Sequence, residues 1–306
     1  MIPSHPIFRA SSQQLAGAIG LALGALTVEG YLSRGTATRL DYLRDKGDHV
    51  YVNGEYVQIG AAGLTRLTTD NLIDATGADA GAAMAVSTFY YIYISNSQSP
   101  FSPLSIRASA TAWTRVNGVK YLGAAGNALN WRFIGRVRTN AVGAGQLQFD
   151  NTFIGVHNEY NKRVIRAGTA PGYVDDNAQT TYTKTVGVFS QANGGTGSRI
   201  IFIGDGEETV WIGLSTHMSP AAGTTGVAGI SVLDSTTDTD EATLQGLAAT
   251  GIPGGTQIAT LPTEGAHTVD LLVASDVGTT TFIADTTRRG AVNDPAVTLM
   301  ELRMLG

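Results

Sequence analysis

The sequence predicts a mainly β protein: an N-terminal segment with short helices and a hairpin, a central β module, and a C-terminal antiparallel β-sandwich of jelly-roll type. Three observations carry this. The 306 residues include 38 Gly and 37 Thr; Gly supplies the positive φ of tight turns, and β-branched Thr favours a pleated surface. Two Asn-Gly pairs, Asn53-Gly54 and Asn117-Gly118, stand between alternating runs, the signal of a two-residue hairpin. The C-terminal part is a series of short strand-like runs separated by Gly- or Thr-rich turns, which is how a sandwich or jelly roll reads. No repeat of fixed period occurs, which counts against a solenoid or propeller.

Residues 1–60 form the first domain. The apolar stretch Leu15 to Val28 (LAGAIGLALGALTV) holds three Gly and falls short of the ~20 residues that span a bilayer. Only Arg9 precedes it as a charge, and Pro3 and Pro6 interrupt the start, so it reads against a signal peptide. A helix is expected over Ser11 to Leu26, its small residues allowing another chain to approach closely, and a more polar one over Thr36 to Arg44. His49 to Val52 and Glu55 to Ile59 then flank Asn53-Gly54 as the arms of a hairpin.

Residues 61–165 form the central module. A connector rich in small residues reaches Ala85, with a short helix at Thr69 to Thr76. Phe89 to Ser95 (FYYIYIS) is a continuous apolar run of strand length, expected to be buried on both faces and central in its sheet. Leu104 to Ser109, Arg115-Val116 and Val119 to Leu122 about Asn117-Gly118, and Trp131 to Thr139 complete it. The third domain, 166–306, has strands at Thr183 to Gln191, Arg199 to Gly204, Glu208 to Leu214, Ala228 to Asp234, His267 to Ser275, Thr279 to Asp285 and Val297 to Met304.

Charge is uneven along the chain. Residues 1–106 carry a net −2, 107–166 a net +7 and 167–306 a net −10, within a total of −5. The middle arginines alternate with apolar residues in Trp131-Arg132-Phe133-Ile134-Gly135-Arg136-Val137-Arg138, a pattern that predicts a solvated strand face or an inter-subunit contact. Overall acidity argues against nucleic-acid binding. The absence of Cys removes disulfides, thiolate nucleophiles and thiolate metal sites together.

No catalytic, cofactor-binding or metal-ligating residue is assigned. His5, His49, His157, His217 and His267 are too far apart in sequence to suggest a shared metal. Gly194-Gly195-Thr196-Gly197-Ser198 has no P-loop Lys and reads as a hairpin loop. Ser215-Thr216-His217 lacks the nucleophile elbow. The run from Asp234 through Asp238 and Asp240 to Glu241 offers oxygen ligands for a hard cation, but it lacks the EF-hand Gly and reads as a solvated acidic loop. Asp205, Glu207 and Glu208 read as surface carboxylates, and Trp113, Trp131 and Trp211 as core residues rather than sugar-stacking platforms.

At Tyr90-Tyr-Ile-Tyr93, Leu104-Ser-Ile-Arg-Ala-Ser109, Lys120-Tyr-Leu-Gly123, Gly126-Asn-Ala-Leu-Asn-Trp-Arg-Phe133 and Val137-Arg-Thr-Asn140, the chain resembles a module of virion structural proteins of tailed bacteriophages, tail-fibre-like or head-decoration-like. The resemblance covers about residues 89–163. It implies a non-enzymatic virion protein without cofactors: a homotrimeric fibre, spike or capsid decoration, anchored by its N-terminal part to other virion proteins, with an outward-facing β-sandwich that meets a host surface glycan in the fibre form. The overall acidity and the shortness of the apolar run, read from the residues themselves, predict no nucleic-acid partner and no membrane insertion. Two alternatives stand beside it: a tailspike-like depolymerase using carboxylates of Asp205 to Glu208 or Asp234 to Glu241 as acid and base, and a secreted bacterial lectin or adhesin.

Overall fold

The computed structural model describes residues 28–45, 47–95, 106–141, 145–150, 152–168, 182–191, 199–222, 224–231, 233–235, 239–247, 252–282 and 299–306. The chain is mainly β and divides into two compact units, one of residues 1–84 with 90–135, the other of residues 85–89 with 136–306. The helix expected over 11–26 lies outside the described residues, as do His5 and the loop 194–198. No helix among the described residues is long and apolar enough to cross a membrane.

The strands associated with the first unit are β1 (Gly30–Thr36), β2 (Arg39–Arg44), β3 (His49–Val52), β4 (Glu55–Gln58), β5 (Leu64–Leu67), β6 (Phe89–Ser95), β7 (Ile106–Ser109), β8 (Thr114–Val116), β9 (Val119–Tyr121) and β10 (Trp131–Arg138). The expected helix at Thr36 to Arg44 is corrected to a strand, β2, paired antiparallel with β1 on one side and β5 on the other. Cross-strand burial overrides local propensity here, because Leu40 and Tyr42 close against the interior while Arg39 pairs with Asp41 at 3.0 Å. The short helix expected at Thr69 to Thr76 is absent too. Asp74 Oδ1 accepts the amides of Thr76 and Ala78 at 2.8 and 3.1 Å, and such side-chain bonds offer the backbone a turn in place of a helix.

Both Asn-Gly hairpins form as the sequence predicts, with φ of 42° and 93° at Asn53-Gly54 and 49° and 84° at Asn117-Gly118. β6 lies between β7 and β10 in the order β7-β6-β10-β9-β8, and Ile92, Tyr93 and Ile94 are fully buried, so its central place is borne out. Tyr93, Trp131 and Phe133 form a core with Ile73 and Leu122. Close packing sets tight limits in this unit. A Cβ on Gly30 would fall 2.5 Å from the Tyr42 ring and 2.8 Å from Ile59, both buried. Gly30→Ala is therefore expected to lower stability by about 1–3 kcal/mol through overpacking, read from the shift of the urea midpoint.

The arginines of β10 are the clearest departure from the sequence reading. Arg132 and Arg136 are buried, not solvated. Arg132 Nη1 donates to the Tyr51 carbonyl, and Arg136 meets two carboxylates described below. Alternation locates the strand correctly, but internal partners make burial of these cations possible.

The second unit contains β11 (Val156–Asn158), β12 (Val164–Gly168), β13 (Tyr182–Gln191), β14 (Arg199–Asp205), β15 (Val210–Pro220), β16 (Thr225–Ser231), β17 (Thr239–Leu247), β18 (Ile252–Thr260), β19 (Glu264–Phe282) and β20 (Leu299–Leu305). The main path is β12-β20-β15-β19-β16-β17, with β13 and β14 on β19 and β18 on β15. The two strands expected at 267–275 and 279–285 are one 19-residue strand, β19. Its first part pairs with β14, Leu271 to Ser275 pair with β16, and the part from Leu272 onward pairs with β13. Two register shifts in the β13 pairing accommodate the change of partner, and Gly278 takes φ +76°. β17 and β18 have no counterpart among the expected strands: the acidic-loop reading of Asp234 to Glu241 runs into the start of β17, and Pro and Gly such as Pro253-Gly254-Gly255 in β18 are poor strand formers by themselves.

Inward residues of β14, β15, β16, β19 and β20 close one core around Phe202, Ile212, Ile230, Leu271 and Leu302, as a β-sandwich requires. Along β15, Val210, Ile212 and Leu214 point inward, whereas Trp211 between them is about half exposed at 52%. This alternation places an aromatic ring on the outer face.

Candidate functional site

Asp205, at the end of β14, is the only one of the three carboxylates at 205–208 that is buried, which corrects its expected surface position. Its Oδ1 accepts the Glu207 and Glu208 amides at 2.9 Å each, fixing the turn into β15. Lys162 bonds Asp205 Oδ2 and, at 2.9 Å, Glu208 Oε1. Burial opposes ionisation of Asp205, but the Lys162 and Glu207 hydrogen bonds outweigh it and hold the carboxyl at about 2.

His157 on β11 lies 3.8 Å from Asp205 and is fully buried, with Nε2 at 3.1 Å from the Leu305 carbonyl. Since a carbonyl only accepts, Nε2 carries the proton. Desolvation, reinforced by the nearby Arg136 and Lys162 charges, pushes the imidazole down to about 3. Arg136 donates to Glu159 at 2.8 Å and to Glu264 at 2.7 Å. Cations of the basic segment thus meet acidic residues of the C-terminal segment inside one unit, which accounts for part of the charge asymmetry. Sequence spacing carries no sign of these contacts, since Arg136 and Glu264 are 128 residues apart.

The remaining candidates resolve into structural roles. Asp234 takes φ +63°, pairs with His267 at 2.8 Å and accepts the Thr268 amide at 2.7 Å, so one end of the expected acidic loop is an anchored turn; Asp240 and Glu241 begin β17. Residues 236–238 lie outside the described residues, and Ser215 to His217 fall within β15. Glu29, Asp48 and His49 approach one another closely enough to hold a cation, a cluster the separated histidines did not suggest. Each is already engaged: Glu29 accepts the His49 amide at 2.9 Å, and Asp48 accepts the Gln58 amide at 3.0 Å, which with the His49 and Arg44 charges lowers the Asp48 carboxyl. Trp131 is buried and Trp113 half-buried, stacked near Phe133 with Lys120 Nζ 4.2 Å from its ring centre.

Trp211 departs from its expected core role. It stands on the outer face of β12-β20-β15-β18, over a groove of about 420 Å³ lined in part by Val164, Glu208, Arg303 and Leu305. Arg303 is the direct cross-strand partner of Trp211, and Arg166 is the direct partner of Arg303 on the next strand. All three side chains are exposed. The arrangement joins an aromatic plane, apolar walls and two guanidinium groups, the composition of a small-ligand surface.

No family model matches the chain. No curated protein matches it either. Among solved structures it is similar to that of infectious bursal disease virus Gx strain, at 12% identity and a TM-score of 0.26, covering 90% of this chain and 71% of the other. The VP2 subviral particle of the same virus gives 11% identity and 0.27, over 91% and 70%. A glycoside hydrolase family 43 arabinoxylan arabinofuranohydrolase from Bacillus subtilis gives 10% and 0.19, over 84% and 54%. Scores of this size do not establish a common fold.

Proposed function

We propose that the chain is a non-enzymatic virion structural protein of the tailed-bacteriophage kind, a homotrimeric fibre, spike or capsid decoration whose N-terminal part attaches to the particle. The observation that carries this reading is the convergence of the resembling segments. Tyr90 to Tyr93, Ile106 to Ser109, Lys120-Tyr121 and Trp131 to Phe133 fall on β6, β7, β9 and β10, neighbouring strands of one sheet. Segments that are separate in sequence therefore form one structural module.

The depolymerase reading fits the geometry less well. A general acid for glycoside cleavage needs a raised pKa. Asp205 has the opposite shift, and Lys162 ties it to Glu208.

The expected result is a stable trimer in sedimentation of the purified chain and immunogold label on phage particles from its source. Label over the capsid shell supports decoration, and label at the tail supports the adhesive fibre. A monomer at all concentrations, or particles without label, would overturn the proposal.

A further inference from the structure

We infer that the outer face around Trp211 is a binding site for a carboxylated saccharide. This deepens the fibre form of the proposed function and rests on it only for the source of the saccharide. β-Sheet register creates the site. Arg166 on β12 faces Arg303 on β20, which faces Trp211 on β15, so the three form one row across adjacent strands. Like charges directly opposite on neighbouring strands are destabilising, and among the described residues neither guanidinium makes an ion pair. An anion between or above them relieves that repulsion, and a carboxylate matches the planar donor geometry of Arg.

The adjoining surface selects the rest of the ligand. Trp211 is 52% exposed, which leaves a large apolar ring facing water on the sheet surface. Its plane suits the C–H face of a pyranose ring. Val164 and Leu305, themselves direct cross-strand partners and exposed at 61% and 39%, extend the apolar floor. The groove of about 420 Å³ has the size of a small-ligand site. At its rim Glu208 is held by Lys162 through Oε1, which leaves Oε2 to accept sugar hydroxyls; the single negative charge left on the Asp205, Lys162 and Glu208 cluster is outweighed by the two guanidinium groups. Aromatic stacking, cations for a carboxylate and an acceptor for hydroxyls thus converge at one place. A purely apolar partner would leave the arginines desolvated without compensation, and a simple anion would make no use of the indole.

The test is calorimetric titration of the full chain with trigalacturonate, an alginate mannuronate trimer, a hyaluronan tetrasaccharide and 3′-sialyllactose, with maltotriose as the neutral control. At least one acidic probe is expected to bind and maltotriose not to bind. Trp211→Ala and Arg303→Gln should each weaken binding by about tenfold or more, and Trp211→Phe should restore most of it. Raising NaCl from about 50 to about 500 mM should weaken it several-fold. Both positions are exposed, so unchanged far-UV circular dichroism is expected for the variants. Failure of all four acidic probes, equal binding of the neutral one, or binding unaffected by Trp211→Ala and Arg303→Gln would overturn the assignment. So would loss of self-association in Trp211→Ala, which would identify a second copy as the occupant. Because binding is read on isolated protein and particle position by immunogold, failure of either is distinguishable from failure of the other.

Discussion

Arg136→Ala is expected to destabilise the protein by about 3–5 kcal/mol, the cost of breaking a buried ion pair from one side. Arg136 is fully buried, and its guanidinium engages Glu159 and Glu264, whose side chains are 7% and 25% exposed. Removing the cation leaves two carboxylates facing each other in a poorly solvated place. Taking up a proton, drawing in water or separating β19 from the segment after β11 each relieves that proximity at a cost. With a domain's whole stability at about 5–15 kcal/mol, this loss is a large share of it. Chemical denaturation at neutral pH measures it directly.

A companion variant separates charge from shape. Arg136→Met together with Glu159→Gln and Glu264→Gln removes all three charges while keeping comparable volume, and should recover much of the loss. A drop below about 1 kcal/mol for Arg136→Ala would place the cluster among solvent-screened surface pairs. No recovery in the triple variant would make the packing of the Arg136 stem, rather than its charge, the main source of the loss.

These buried charges also mark where sequence reading stops. Asn53-Gly54 and Asn117-Gly118 are legible because their turn geometry is determined by adjacent residues. Phe89 to Ser95 is legible because an apolar run of that length has few alternatives to a buried strand. Arg39 to Arg44 reads as a helix because its six residues satisfy either period; pairing with β1 and β5 decides the outcome. The long β19 reads as two strands because Asp276, Val277 and Gly278 look like a turn when their partners are unknown. The groove has a partial signal, since Trp211 alternates with Val210 and Ile212 and must face away from them if the strand is half-buried. Its cross-strand neighbours Arg303 and Arg166 lie on other strands and have no sequence signal at all. Pairing places them there, and register is a property of the folded sheet.

The acid sensitivity of the fold is expected to begin near neutral pH and to trace largely to His157. Burial holds its imidazole at about 3 in the folded chain, against 6.5 for the exposed group. Between these values the unfolded chain binds a proton that the folded chain refuses, so stability rises with pH across the interval. The contribution is complete above about pH 6.5 and is lost as pH falls, at roughly 1.4 kcal/mol per pH unit. Lowering the pH from about 6.5 to about 4.5 should therefore cost about 2–3 kcal/mol from this residue alone. Asp205 acts in the same direction but later: its carboxyl is held at about 2 against 3.8, so its stabilisation is present above the ordinary carboxylate range and lost below it. The separation of windows makes the assignment testable by urea titrations at a series of pH values. His157→Gln retains an amide donor for the Leu305 carbonyl but cannot titrate, and should flatten the curve above about pH 4.5 while leaving the steeper loss at lower pH. Asp205→Asn should do the reverse. Arg136→Ala adds a cross-check, because the Arg136 charge helps to keep His157 neutral, so its removal should raise the folded-state pKa of the imidazole and narrow the interval over which stability depends on it. An unchanged slope in His157→Gln would show that the buried imidazole does not govern this interval.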